Sequence, residues 1–149
     1  MTNSNPAAAT RFDRRTAPAA VLRYAAAFYA LALIFHTADH LRRGIDAVTP
    51  QVLASGAVST TIAVVAIVLC FTRFRYAAIL AIVAGFANAF GVAAVHLLPR
   101  WSAFSDAFPG GNVDLVSWVA AVLEIVAAGA LGVAGVVALQ RSRGPTLES

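Results

Sequence analysis

The chain has 149 residues, of which 60% are hydrophobic and 12% charged. A soluble domain carries about 25% charge and needs it to cover its surface. This composition, with a mean hydropathy of +0.77, excludes a water-soluble enzyme, a nucleic-acid-binding domain and a disordered chain. The net charge of +4 comes from eleven arginines and no lysine. In so apolar a chain it marks loops that face an anionic membrane surface, not a nucleic-acid partner. A lone cysteine, Cys70, makes no intramolecular disulfide. Arginine as the sole basic residue besides histidine, with abundant Ala, Val and Gly, points to a GC-rich bacterial source.

Residues 1–23 form a polar tail with Arg11, Arg14, Arg15 and Arg23. It has no apolar core near its start, so no cleaved secretory signal is expected, and it is expected in the cytoplasm. Four apolar segments follow, predicted as transmembrane helices over 24–41, 52–71, 76–98 and 113–139. Each has at least the 18 or so residues that a span needs. Alternating apolar strands are absent, which excludes a β-barrel reading. Residues 141–149 form a second tail. The expected fold is all-α: a polytopic up-down bundle of four transmembrane helices in the plasma membrane, with the lipid bilayer as its first partner. A homo-oligomer or a larger membrane complex is a further expectation.

Orientation is read from the arginines. Eight of them (11, 14, 15, 23, 73, 75, 141, 143) fall on the side of the two tails and three (42, 43, 100) on the other. The positive-inside rule then places both termini in the cytoplasm and the loops 42–51 and 99–112 outside. Most carboxylates take the opposite side: Asp39, Asp46, Asp106 and Asp114 lie at or near the outer loops. Glu124 lies about ten residues down helix four, roughly 15 Å from its outer end. All three histidines join the outer half.

His36-Thr37-Ala38-Asp39-His40 is the sharpest local feature. His36 and His40 are four residues apart and stack on one helix face, with Asp39 beside them. His96 ends helix three at a similar depth. Ionisable groups in membrane helices are costly and usually turn to the bundle interior, where they mark function. His36, Asp39, His40, His96 and Glu124 are therefore the predicted metal ligands, in an outward-facing site for Zn²⁺, Cu²⁺ or non-haem iron. Cys70 lies at the far end of helix two, so a soft Cu(I) thiolate site is not expected. The motif lacks the Glu of His-Glu-x-x-His, which excludes a zincin. Asn88, Arg43, Arg100, Trp101, Asp106 and Trp118 are predicted as supporting or lid residues.

Three other readings use the same residues. Haem b could take His36 or His40 with His96, and Arg42, Arg43 and Arg100 its propionates; quinone binding is a variant of this. Glu124 could carry a proton in transport. The chain could also be an accessory subunit with no ligand, its polar residues holding helices together. In that reading Glu124 pairs with Asn88 or Ser117, while Arg42 and Arg43 pair with Asp46 or lipid phosphate. Whether the chain is an enzyme stays open. Small residues at Gly85, Ala89 and Ala93 and at Gly129, Gly132 and Gly135 predict close helix approach. The 99–112 loop, with Trp101, Phe104 and Phe108, is expected to dip into the membrane surface or cover the site.

Overall fold

The computed structural model describes the backbone of residues 6–72 and 74–142, and the side chains among them from residue 20 onward. Arg11, Arg14, Arg15, Arg73 and Arg143, used above to orient the chain, lie outside these described side chains. Four helices make the bundle: α1 (Pro6–Arg43), α2 (Pro50–Phe71), α3 (Ala77–His96) and α4 (Leu115–Ser142). All four contain a stretch long and apolar enough to cross a membrane, Ala20–Arg43 in the case of α1. Among the described residues there is no strand. The protein is an integral membrane protein by this architecture.

The ends of the helices follow local chemistry. Helix α1 stops at Gly44, whose φ of 91° only glycine adopts without strain. Pro50 opens α2 behind Thr49, whose side chain accepts from the Val52 N–H at 3.2 Å. Asp114 does the same for α4, its Oδ1 accepting from the Ser117 N–H at 3.0 Å. Helix α1 begins upstream of the apolar segment 24–41, in a stretch rich in the strong helix formers Ala and Arg.

The helices pack in a ring, each against the next, with α4 closing back on α1. The α3–α4 contact is the most extensive, and glycine is the reason. A Cβ on Gly85 would lie 2.5 Å from the Gly132 nitrogen and 2.6 Å from the Ala128 oxygen. A Cβ on Gly135 would lie 2.7 Å from the Ala78 oxygen. The two backbones touch, which is how helices gain packing energy in lipid, where no hydrophobic effect drives them together. Small buried residues such as Ala81, Ala84, Ala127 and Ala128 line the same core, with Tyr29 and Leu131 filling its centre.

Helix α2 is held differently. Ser59 donates to the Asn88 Oδ1 on α3, and the Asn88 amide donates to the Ala84 carbonyl at 2.8 Å. Most of the apolar face of α2 stays exposed, including Val58, Ile62, Val65 and Val68. Comparable residues on every helix (Leu31 on α1, Phe90 on α3, Val133 on α4) complete an apolar belt around the bundle. Such a belt is buried only in a bilayer.

Candidate functional site

Three histidines meet at the end of the bundle that carries the loops 44–49 and 97–114. His36 and His40 come from α1, stacked by the four-residue spacing. His96 comes from the last turn of α3. Their ring centroids are 4.7 Å apart for His36–His40, 5.0 Å for His36–His96 and 5.4 Å for His40–His96. One nitrogen from each ring lies within 4.8 Å of the other two. His36 and His96 are buried and His40 is half-buried.

The Nδ1 atoms of two rings stand beside oxygens. His36 Nδ1 is 3.1 Å from the Glu124 Oε2 on α4. The distance is short, yet the pair is not aligned as a hydrogen bond, and the buried His36 Nδ1 has no hydrogen-bond partner among the described residues. His96 Nδ1 lies 3.1 Å from the Asp106 carbonyl oxygen and 3.5 Å from its Oδ2. A neutral imidazole carries one N–H. With that proton on Nδ1 and directed at oxygen, Nε2 keeps its lone pair. The Nε2 atoms of His36 and His40 are hydrogen-bonded to each other at 2.9 Å, one ring donating to the other, and the Nε2 of His96 is the nitrogen left to join them.

The loop after α3 is built against this cluster. Asp106 N–H donates to the Val95 carbonyl at 3.1 Å and Phe108 N–H to the His96 carbonyl at 2.9 Å, so the loop folds back on the helix end. Phe108 is buried, with its ring 4.6 Å from His96 and edge-on to Trp118 of α4 at 5.3 Å. Arg43 reaches over from α1. Its two terminal nitrogens donate to the two Asp106 oxygens at 2.7 and 3.0 Å, and its guanidinium lies 5.3 Å from the Phe108 ring centre. This fork clamps the loop to α1. Burial alone would raise the Asp106 carboxyl, but the Arg43 guanidinium outweighs it and holds the group below its ordinary range.

Of the five predicted ligands, the structure brings His36, His40, His96 and Glu124 together. Asp39 is buried but directed elsewhere: its Oδ1 accepts from Arg42 at 2.7 and 2.9 Å. Arg42 also donates to Asp114 at 2.9 Å and to Ser117 at 3.2 Å. Arg42 and Arg43 thus pair with Asp39, Asp114 and Asp106, not with Asp46. Asp114 and Asp106 each present two oxygens to Arg42 and Arg43, a fork geometry that holds the guanidinium groups. Glu124 meets His36, not Asn88 or Ser117, because those two are engaged by Ser59 and by Asp114. Among the supporting residues, Arg43, Asp106 and Trp118 sit at the site. Asn88 instead ties α3 to α2. Trp101 is exposed and donates from its indole to the Ala94 carbonyl at 3.0 Å, and Arg100 is exposed.

Sequence reasoning missed two features here. Tyr29 is fully buried, and its hydroxyl has no hydrogen-bond partner among the described residues. It lies seven residues before His36, on the same helix face, a spacing that would have flagged it. A cavity of about 440 Å³ also lies beside the histidines, between α1, α2 and α3. No family model, curated protein or solved structure matches this chain.

Proposed function

We propose that this integral membrane protein binds one transition-metal ion through His36, His40 and His96. The observation that carries the reading is the convergence of three imidazoles whose outer nitrogens, in His36 and His96, meet carboxylate or carbonyl oxygens. Metal-binding histidines almost always give their second N–H to such an oxygen, which fixes ring orientation and raises ligand basicity. The Asp106 carbonyl fills that role for His96, and the Glu124 carboxylate stands 3.1 Å from His36 Nδ1. Neutral imidazoles suit Zn²⁺, Cu²⁺ and iron. A tetrahedral ion with bonds of about 2.0–2.1 Å needs its nitrogens about 3.3 Å apart. That spacing falls between the 2.9 Å of the His36–His40 pair and the 4.8 Å within which all three ligand nitrogens lie. Three protein ligands leave a fourth position open, as in catalytic rather than structural zinc sites.

Haem b fits the arrangement less well, since it takes one histidine on each of two opposite faces of a flat macrocycle and these three rings are packed in mutual contact. The arginine distribution supports an outward histidine end in the plasma membrane of a bacterium. Elemental analysis of the purified protein, with Co²⁺ titration followed by visible absorption, tests the reading. The expected result is stoichiometric metal and a saturable Co²⁺ spectrum that His96→Ala abolishes. In Glu124→Ala, which removes the carboxylate beside His36 Nδ1, affinity falls about 10–100-fold. Protein that carries no metal and takes up none overturns the proposal.

A further inference from the structure

The cavity of about 440 Å³ beside the histidines has an unusual wall. One end is His36, His40, His96 and Glu124. The rest is mostly aliphatic, with Leu33, Val52, Leu53, Val92 and Val95 prominent, and carries the side-chain hydroxyls of Thr37, Ser55, Ser59 and Thr60. Two glycines, Gly56 on α2 and Gly91 on α3, also line it. They differ from Gly85, Gly132 and Gly135, where a Cβ would collide with a neighbour. A Cβ on Gly56 or Gly91 would meet nothing within 4 Å. No close helix approach requires these two glycines, and their absent side chains only widen the space. The cavity also has a side opening: Thr37 and Leu41 of α1 and Leu53, Gly56 and Ala57 of α2 line it and are exposed on the bundle's apolar flank.

An aliphatic void of this size is a poor site for water, which needs two to four polar partners, and left empty it forfeits packing energy. Its volume lies in the range of small-molecule sites, about 300–1,000 Å³. Its polarity is graded, apolar along the helices and rich in nitrogen donors and acceptors at one end. We propose that it holds one membrane-dissolved amphiphile, with an apolar body along α2 and α3 and an oxygen-bearing head at His36, His40 and His96. The molecule enters from the bilayer between α1 and α2. A carboxylic lipid and a quinol share this chemistry. The inference deepens the metal reading, because the open ligand position is where the head arrives, but the cavity itself does not depend on a metal.

The test uses the full chain in phosphatidylcholine nanodiscs with a diazirine-bearing dodecanoic acid as photolabel, both after chelation and with Zn²⁺ added. The expected result is saturable cross-linking to α2 and α3 near Leu53, Thr60 and Val95. It should be lost in Gly56→Leu and Gly91→Leu, whose thermal unfolding temperature does not fall below wild type. Competition by excess dodecanoic acid alone assigns a carboxylic lipid, and competition by a decyl-benzoquinol alone assigns a quinol; either supports the proposal. Labelling that neither compound displaces, or that spreads over belt residues such as Phe90 and Val133 and is unchanged in Gly91→Leu, overturns it. The two readings fail separately. Saturable labelling without any metal uptake sinks the metal site and leaves the amphiphile, and metal uptake without saturable labelling does the reverse.

Discussion

Replacing Gly85 with Ala adds one methyl group at the tightest contact of the bundle. That carbon would lie 2.5 Å from the Gly132 nitrogen, 2.6 Å from the Ala128 oxygen and 2.9 Å from the Gly132 Cα. All three are backbone atoms of α4, so no side chain can swing away. Ordinary contact begins near 3.4 Å, and the helices must part by up to the difference, 3.4 − 2.5 = 0.9 Å. A gap of 0.5–1 Å forfeits about a quarter to a half of each dispersion contact along the seam. Overpacking of this kind costs about 1–3 kcal/mol. Against it stands a gain of about 0.5–1 kcal/mol from replacing a helical glycine. Gly91→Ala on the same helix is the matched control: it takes the gain without the clash. The two variants should therefore shift in opposite directions, by about 2 kcal/mol between them. Reversible unfolding in mixed micelles, followed by the fluorescence of Trp101 and Trp118, measures both. Gly85→Ala as stable as Gly91→Ala would refute the packing argument.

Tyr29→Phe removes a buried hydroxyl that has no partner and should be neutral or stabilising by about 1 kcal/mol in the same assay; a clear loss of stability would reveal a hydrogen bond to Tyr29. The two neighbouring arginines should both matter, because each holds a buried carboxylate. The Arg42 side chain is itself 46% exposed, but its partner Asp39 is 4% exposed, so Arg42→Ala leaves a buried carboxylate unpaired and should destabilise the bundle. The Arg43 and Asp106 side chains are 17% and 10% exposed, so Arg43→Ala likewise strands a largely buried carboxylate and costs about 2 kcal/mol or more. A neutral effect of either substitution in the unfolding assay would contradict this. Acid should loosen the Asp114 contact in a defined direction. Hydrogen bonds from Arg42 and Ser117 hold the Asp114 carboxyl below its ordinary value. Its contribution is therefore complete above about pH 4, the unfolded carboxylate value, and is lost as pH falls through the lower folded value. The unfolding temperature of Asp114→Asn should lie below wild type at neutral pH and converge with it in acid. A gap that widens in acid would reverse the assignment.

Much of the fold was legible because bilayer thickness leaves little choice. A run of apolar residues long enough to span must be a helix, and segments 52–71 and 76–98 coincide closely with α2 and α3. The histidine cluster was legible for two reasons: the four-residue spacing of His36 and His40 puts them on one face, and His96 ends its helix at the matching depth. Asp39 shows the limit of that logic. Spacing placed it beside the histidines, but Arg42, three residues on, offers a charge-assisted hydrogen bond within the same helix and takes it. Asp106 illustrates another limit. Its position in a loop says nothing of where its carbonyl points, which depends on how residues 97–114 fold back over α3. The cavity was invisible for a related reason, since nothing in the sequence around Gly56 or Gly91 says that the space beside each is open.

The histidine cluster draws on helices made at different times. His36 and His40 leave the ribosome together, on the first span. Their third companion arrives two spans later, and the Asp106 loop and Glu124 later still. A single helix therefore offers two imidazoles at most. Only the completed bundle offers the third ring and the oxygens beside it, so under the metal reading stable binding requires that all four spans be in place.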